Sequence, residues 1–160
     1  MCIRDRVITC ITVAALPADS LSAVIDFESM YAMDYLSGSP IPGAARLSDQ
    51  LAGTDGVVFS SGAAYVAVVH CEPDCAPSGT HMIGGSTPDG VLTYEGDRPV
   101  VFTFVDPQRP TSPATTDHVS VRGDLWADSG RQLTLNAYDV NGVLIGSDDA
   151  FGSRTTPAGF

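Results

Sequence analysis

The chain contains no lysine, and 19 acidic residues outnumber its 8 arginines, so its formal charge is −11. Nucleic acid is therefore excluded as the main partner, because binding to phosphate backbones needs clustered basic residues. Schiff-base catalysis and the P-loop phosphate site are excluded because both need a lysine. With 44% hydrophobic and 17% charged residues, the 160 residues suit one folded acidic domain rather than a disordered tail.

The chain also has no hydrophobic run long enough to span a membrane as a helix. Residues 7–16 form an uncharged, mainly apolar run, whereas a membrane helix needs about 20 residues. Two arginines precede the run and small residues follow it up to Ala23, which is the order of a secretory signal. We therefore predict a signal peptide over residues 1–23, one domain over residues 24–160, and a secreted or extracellular location. A buried first strand is the alternative, since a short apolar run fits either.

Cysteine is scarce beyond residue 23, where only Cys71 and Cys75 occur. Two cysteines that close a short loop containing proline are typical of a disulfide in an exported protein. A zinc site is the alternative, because His70 and His81 flank the pair and all four residues are zinc-ligand types. His70 and Cys71 are neighbours at the end of a predicted strand, where successive side chains point apart, and this favours the disulfide.

No stretch after Ala23 repeats apolar residues at the helical period of 3.6, and 16 Gly and 11 Pro interrupt the chain. Runs rich in Val, Phe, Tyr and Thr are instead typical of strands. The predicted strands are residues 24–28, 57–60, 63–70, 91–94, 100–105, 118–122, 133–140 and 143–147. One helical turn is predicted at residues 44–51, where Leu47 and Leu51 are four apart. Short strands at this spacing predict an all-β fold, an antiparallel β-sandwich.

Asn141 and Gly142 separate the last two predicted strands. This residue pair is typical of a type I′ turn, in which two residues close a β-hairpin. We therefore predict a two-residue hairpin at this point.

Catalytic motifs are missing as well. The chain has no Gly-x-Ser-x-Gly nucleophile elbow and no His-Glu-x-x-His zinc motif. Serine and aspartate are so abundant that a Ser-His-Asp triad or a pair of glycosidase carboxylates has no distinguishing signal. We therefore assign no catalytic residue and favour a non-enzymatic role.

Several segments resemble the exported bacterial β-sandwich domains of PEP-CTERM sorted proteins. The segments are residues 24–28, 47–51, 56–59, 102–106, 119–123 and 133–139, the last with the Asn-Gly turn that follows it. The resemblance covers most of the predicted domain, and many jelly-roll domains share its loose motifs. It implies a jelly-roll or galactose-binding-like sandwich located at the cell surface or in the extracellular matrix.

Two features of these domains are absent from the chain. One is the C-terminal Pro-Glu-Pro sorting segment, and the other is the usual last strand bearing paired aspartates. We therefore expect a domain truncated at its C terminus and lacking its last strand. The first six residues resemble translated adapter sequence, and we expect them to be artefactual.

Asp26 and Glu28 are two apart on the first predicted strand, so both should point to one face while Phe27 enters the core. Two oxygen ligands side by side can begin a calcium site that loop carbonyls complete. In galactose-binding-like sandwiches an acidic residue of the first strand often shares a structural calcium, and the resemblance implies this role for Glu28. Ordinary solvent-facing carboxylates are the alternative.

Trp126 is the only tryptophan and lies in a glycine-bounded segment between Asp124 and Asp128. An indole ring can stack on a sugar face while the two carboxylates accept hydrogen bonds from hydroxyl groups. The three residues are therefore the candidate carbohydrate site. A tryptophan that caps the end of the sandwich core is the alternative, and it is the commoner role.

These features together predict a secreted, non-catalytic binding module of the cell surface or matrix. Its predicted ligand is a polysaccharide or another cell-surface glycan. A structural component of a cell-surface or biofilm layer is the first alternative, and an exported enzyme that acts on polysaccharides is the second.

Overall fold

The computed structural model describes residues 6–11, 24–34, 38–62, 64–70, 79–87, 89–91, 99–123, 131–152 and 158–159. These residues form twelve strands and one turn of 3-10 helix at Gly43–Ala45. The strands are β1 (Arg6–Ile11), β2 (Met33–Asp34), β3 (Arg46–Leu47), β4 (Val57–Ser60), β5 (Val66–His70), β6 (His81–Gly85), β7 (Val101–Asp106), β8 (Arg109–Pro113), β9 (Arg122–Gly123), β10 (Arg131–Tyr138), β11 (Leu144–Gly152) and β12 (Ala158–Gly159). The predicted all-β class is confirmed. No helix of the described residues has the length and hydrophobicity to cross a membrane.

The described strands are arranged in three sheets. The largest has the order β11-β10-β1-β7-β4, with β8 also paired to β7. The second has the order β2-β5-β3, with β6 also paired to β5, and the third is the pair β12-β9. Three ladders among the described strands are parallel, namely β1–β10, β1–β7 and β2–β5. The other ladders among these strands are antiparallel.

The main core joins the two larger sheets. Val57 and Phe59 of β4 belong to the same buried cluster as Val66 and Val68 of β5. One sheet packed on another through its apolar face is the arrangement of a β-sandwich. The fold is therefore consistent with the predicted sandwich, whereas the jelly-roll or galactose-binding-like strand order stays a prediction.

Strand β5 also buries its opposite face. Ala67 and Val69 pack with Met33, Ile41 and Ala45 in a second cluster. Because both faces of β5 are covered, its sequence is a continuous apolar run rather than an alternating one.

Phe59 lies at the centre of the main core, with 3% of its surface exposed. Its ring makes edge-to-face contacts with Phe27 at 5.8 Å and with Phe102 at 5.2 Å between ring centres. Such pairs add stability beyond the burial of apolar area. Phe59 therefore links the segment before β2 to strands β4 and β7.

Several strand predictions are confirmed within one to five residues. Strand β4 has the predicted bounds, β5 begins three residues later than predicted, and β7, β10 and β11 overlap their predicted ranges. Two predictions are wrong. Residues 24–28 are not a strand, and residues 118–121 are irregular, with only the two-residue β9 following them.

The segment around Asp26 turns instead of extending. The Asp26 Oδ1 atom accepts a hydrogen bond from the Glu28 N–H at 3.1 Å, and the Met30 N–H donates to the Phe27 carbonyl at 3.0 Å. Phe27 has a φ of 61°, in the left-handed region that residues other than glycine rarely adopt. A side chain that bonds the backbone two residues later favours such a turn over a strand. Phe27 nevertheless packs against the core, as predicted.

The β10–β11 hairpin is confirmed, but its predicted turn type is wrong. The Gly142 N–H donates to the Asp139 carbonyl, and Gly142, not Asn141, has a positive φ, of 76°. The loop therefore has three residues and ends on a left-handed glycine. The reason lies at Asp139, whose Oδ1 atom accepts the N–H groups of Asn141 and Val143, each at 2.8 Å.

The predicted helical turn at residues 44–51 is also only partly correct. A 3-10 turn at Gly43–Ala45 gives way at once to β3, because Arg46 and Leu47 pair with β5. Leu47 and Leu51 still pack against the same core, so the apolar spacing is explained by a strand followed by turns.

Residues 6–11, which lie within the predicted signal peptide, form strand β1. They pair in parallel with β10 on one side and with β7 on the other. Pairing in the unprocessed chain does not decide whether the segment is later removed, so export stays a prediction.

We expect Phe59→Ala to lower the free energy of unfolding by about 3–5 kcal/mol, because it leaves a cavity between the two sheets. Urea denaturation followed by circular dichroism measures the loss. The matched control is Ile145→Ala. Because Ile145 is 64% exposed, this substitution should change the free energy of unfolding by less than about 0.5 kcal/mol. Equal losses in the two variants would contradict a core between β4 and β5.

We expect the Asp139 carboxyl to titrate below 3.8, because the Val143 and Asn141 N–H groups lower its pKa. Since the folded-state pKa is the lower one, the stabilisation is complete above the unfolded pKa and is lost as the pH falls through the folded pKa. An NMR titration of the carboxyl carbon and of the two amides measures the midpoint. Asp139→Asn keeps an acceptor but should remove the titration, and a wild-type midpoint at or above 3.8 would contradict the assignment.

Candidate functional site

Only part of the predicted site residues can be placed. The candidate carbohydrate residues Asp124, Trp126 and Asp128 and the cysteines Cys71 and Cys75 lie outside the described residues. The carbohydrate site and the disulfide therefore stay predictions. Asp26 and Glu28 are described, and although they are two apart in the sequence, they make different contacts.

Glu28 anchors the segment before β2 to the start of β6. Its Oε1 atom accepts the backbone N–H groups of Thr80 at 2.9 Å and His81 at 2.8 Å. Its Oε2 atom accepts the Thr80 hydroxyl at 3.4 Å. A carboxylate that accepts two backbone N–H groups and a hydroxyl is held in one orientation. These contacts join residues more than 50 positions apart in the sequence.

The same donors stabilise the ionised form of Glu28. The His81 N–H and then the Thr80 N–H hold the pKa of its carboxyl below the usual value of 4.5. Partial burial acts in the opposite direction and is outweighed. Glu28 is therefore a carboxylate over the whole physiological pH range.

A second contact supports the anchor from the other side. The His81 Nδ1 atom lies 3.0 Å from the Phe27 carbonyl oxygen. The carbonyl reaches this position because Phe27 adopts its left-handed conformation. The turn at residues 27–30 is thus fixed to β6 by both a side chain and a backbone oxygen.

Gly79 makes this approach possible. A Cβ atom built at residue 79 would collide with the Glu28 carboxyl group. Any larger residue must therefore displace the carboxylate from the Thr80 and His81 N–H groups. This close approach is a reason for glycine that composition alone does not reveal.

Asp26 faces a different environment. It lines an open depression of about 180 Å³, together with Ser29 and Asp55 as further polar residues. The other lining residues are Val24, Ile25, Phe27, Met30 and Leu51, and Glu28 is not one of them. The depression thus contains two carboxylates and a hydroxyl, and its accessible lining is mainly polar.

The predicted calcium geometry is wrong in one respect. Asp26 and Glu28 do not lie on one face of a strand, because the backbone turns between them. The described residues contain no group of three or more His, Cys, Asp or Glu side chains arranged to hold a metal ion. Calcium binding itself stays a prediction, since carbonyl oxygens and residues outside the described ranges also serve as calcium ligands.

Comparison of the chain with models of known protein families, with curated proteins and with solved structures finds no match. The resemblance to exported β-sandwich domains therefore stays a prediction, and function has to be argued from the described geometry. Sequence reasoning missed Asp55 and Thr80, whose roles depend on contacts between distant segments. It missed Gly79 for the same reason.

We expect Gly79→Ala to lower the melting temperature, because the new methyl group pushes the Glu28 carboxylate away from its donors. Gly84→Ala is the matched control. Residue 84 lies in β6, five residues after Gly79, and has open space for a Cβ atom. Thermal unfolding of both variants and of Glu28→Ala measures the effect.

The double variant Gly79→Ala/Glu28→Ala distinguishes the anchor from a general effect of residue 79. If the carboxylate is what the methyl group displaces, the double variant should lose little more than Glu28→Ala alone. Fully additive losses would contradict this role of Gly79.

Proposed function

We propose that the chain is a secreted, non-catalytic binding module whose ligand is a polysaccharide or another cell-surface glycan. The observation that carries the proposal is the open depression lined by Asp26, Ser29 and Asp55. The order of basic, apolar and small residues near the N terminus supports export.

The size of the depression favours one sugar ring of a longer polymer. Pockets for whole small molecules usually measure about 300–1,000 Å³ and enclose most of the ligand. A volume of about 180 Å³ that is open to solvent leaves room for one unit while the chain of sugars continues on either side.

The polar groups suit hydroxyl donors. Carboxylate oxygens are acceptors only, so Asp26 and Asp55 can take hydrogen bonds from sugar hydroxyls. Each already accepts one local hydrogen bond, from the Glu28 N–H and from the Thr54 hydroxyl, which fixes its orientation. With no lysine and a formal charge of −11, a neutral glycan is favoured over an acidic one.

Two further predictions belong to this proposal. Trp126 with Asp124 and Asp128 would supply a second contact, a stacking surface for another sugar of the same polymer. Calcium bound near Asp26 and Glu28 would tie the first segment to a neighbouring loop.

The role as a structural component of a surface layer is the second candidate, and one feature favours it. The loop and first residues of the β10–β11 hairpin expose four large apolar residues, Val140, Val143, Leu144 and Ile145. β11 is also an edge strand of the largest described sheet, and such an edge can pair with another chain.

We expect the protein to bind a neutral polysaccharide on a glycan array, and we expect Asp26→Asn and Asp55→Asn each to weaken that binding about tenfold. A lost charge-assisted hydrogen bond is worth about 1.5–3 kcal/mol, which corresponds to at least this factor. Asp49→Asn, an exposed aspartate outside the depression, is the matched control and should leave binding unchanged.

Trp126→Ala separates the two parts of the proposed surface, since it should weaken binding without altering the depression. Absence of glycan binding, or equal binding by all variants, would contradict the proposal. Light scattering on the same samples tests the second candidate: assembly that disappears in Ile145→Ser, without any glycan binding, would favour the structural role.

A further inference from the structure

Three residues whose side chains can bind metal ions lie in register across the second sheet. Asp34 of β2 pairs with His70 of β5 in the parallel ladder, and His70 pairs with His81 of β6 in the antiparallel ladder. Residues in register on neighbouring strands project to the same face of a sheet. We refer to these three residues as the Asp34–His70–His81 row.

The row lies at one end of all three strands, where the apolar pattern stops. The next residues on the same face are Ala32, Val68 and Ile83, and all three belong to the main core. Continuing the alternation would place apolar residues at positions 34, 70 and 81 as well. Instead, these positions carry an aspartate and two histidines, so the rim of the core is polar on all three strands.

The two histidine rings lie close to the separation at which one metal ion bridges two imidazoles. Their ring centres are 6.0 Å apart, and the ring planes are inclined by 81°. Zinc–nitrogen bonds are about 2.0–2.1 Å, and the nitrogen lies about 1 Å from its ring centre, so two imidazoles at the tetrahedral angle have centres about 5 Å apart, and the two rings have to approach by about 1 Å to share one ion. The Asp34 Oδ1 atom lies 3.9 Å from His70 Nδ1.

His81 is already held in the tautomer that a metal ligand needs. Its Nδ1 atom contacts the Phe27 carbonyl at 3.0 Å, and because a carbonyl oxygen only accepts, Nδ1 carries the proton. The lone pair of the neutral ring is then on Nε2. A backbone carbonyl bonded to one ring nitrogen is the usual way in which proteins orient a histidine for metal binding.

We propose that His70 and His81 form a two-imidazole site for a divalent transition metal such as Zn²⁺, with Asp34 beside it. Imidazole nitrogens select zinc, copper or nickel rather than calcium, which prefers oxygen ligands. The described residues hold no preformed group of three ligands. Water therefore fills the remaining positions of the ion, or Asp34, which is 85% exposed, fills one by changing rotamer.

Isothermal titration of the full chain with ZnCl₂, after alkylation of its thiols, tests the site without any contribution from cysteine. We expect one Zn²⁺ per chain. His70→Gln and His81→Asn should each weaken binding by at least about tenfold, since even residues that only orient a ligand contribute that much. An asparagine at position 81 keeps a donor for the Phe27 carbonyl. His118→Gln, outside the row, is the control and should bind as the parent protein does.

A spectroscopic measurement on the unaltered protein covers the case in which a variant does not fold. Cu²⁺ bound at the site should show nitrogen couplings from two imidazoles in its electron paramagnetic resonance spectrum. Couplings from two imidazoles support the proposal, and couplings from one or none overturn it. Loss of zinc binding on alkylation would assign the ion to cysteine instead, and equal affinity in all histidine variants would likewise overturn the site.

Discussion

Strand β5 is buried on both faces, and this constraint determines where its neighbours lie. None of residues 66–69 is more than 2% exposed, so every backbone N–H and C=O group of this stretch needs a partner within the protein. Strands β2 and β3 supply partners on one side and β6 on the other. The side chains then have to be covered above and below, which one core does with β4 and β7 and the other with Met33, Ile41 and Ala45. The two clusters are therefore consequences of a single strand that solvent does not reach.

The polar sites lie where this burial ends. A charged or imidazole side chain in the middle of β5 would lose its hydration without compensation, whereas His70 at the strand end keeps 46% of its side-chain surface exposed. Strand β6 begins at this rim. Glu28 fixes its start by accepting the N–H groups of Thr80 and His81, and the Phe27 carbonyl contacts His81 from the same turn. One irregular segment thus aligns the histidine row on one side and forms the wall of the open depression on the other.

The elements that sequence predicted correctly are those with a purely local signal. Strand β4 is a short run of β-branched and aromatic residues between turn formers, and its bounds needed no tertiary information. Strand β6 was not predicted, because glycine is depleted in strands and two of its five residues are Gly84 and Gly85, although pairing with β5 holds them extended. The strand predicted through Asp26 failed because the aspartate bonds its own backbone, and the anchor at Glu28 could not be predicted because its donors lie more than 50 residues away. Spacing alone also could not show that His70 and His81 are partners across a ladder.

Strand β1 determines how the β10–β11 hairpin relates to the rest of the described fold. It pairs with β10 over six residues and with β7 over three, and no ladder among the described residues joins β10 directly to β7. Among residues 134–150 of the hairpin, whose burial the structure describes, none belongs to either buried cluster. Its place in the largest sheet therefore depends on residues 6–11, the same residues whose composition predicts a signal peptide.

In a chain that keeps residues 6–11, the hairpin extends that sheet. In a chain processed near Ala23, the facing edges of β7 and β10 would have to pair with each other or with another strand, because unpaired edges of this length promote association. The described contacts of the Glu28 anchor and of the histidine row involve none of these residues, whereas the main core includes Phe102 of β7, the strand that pairs with β1.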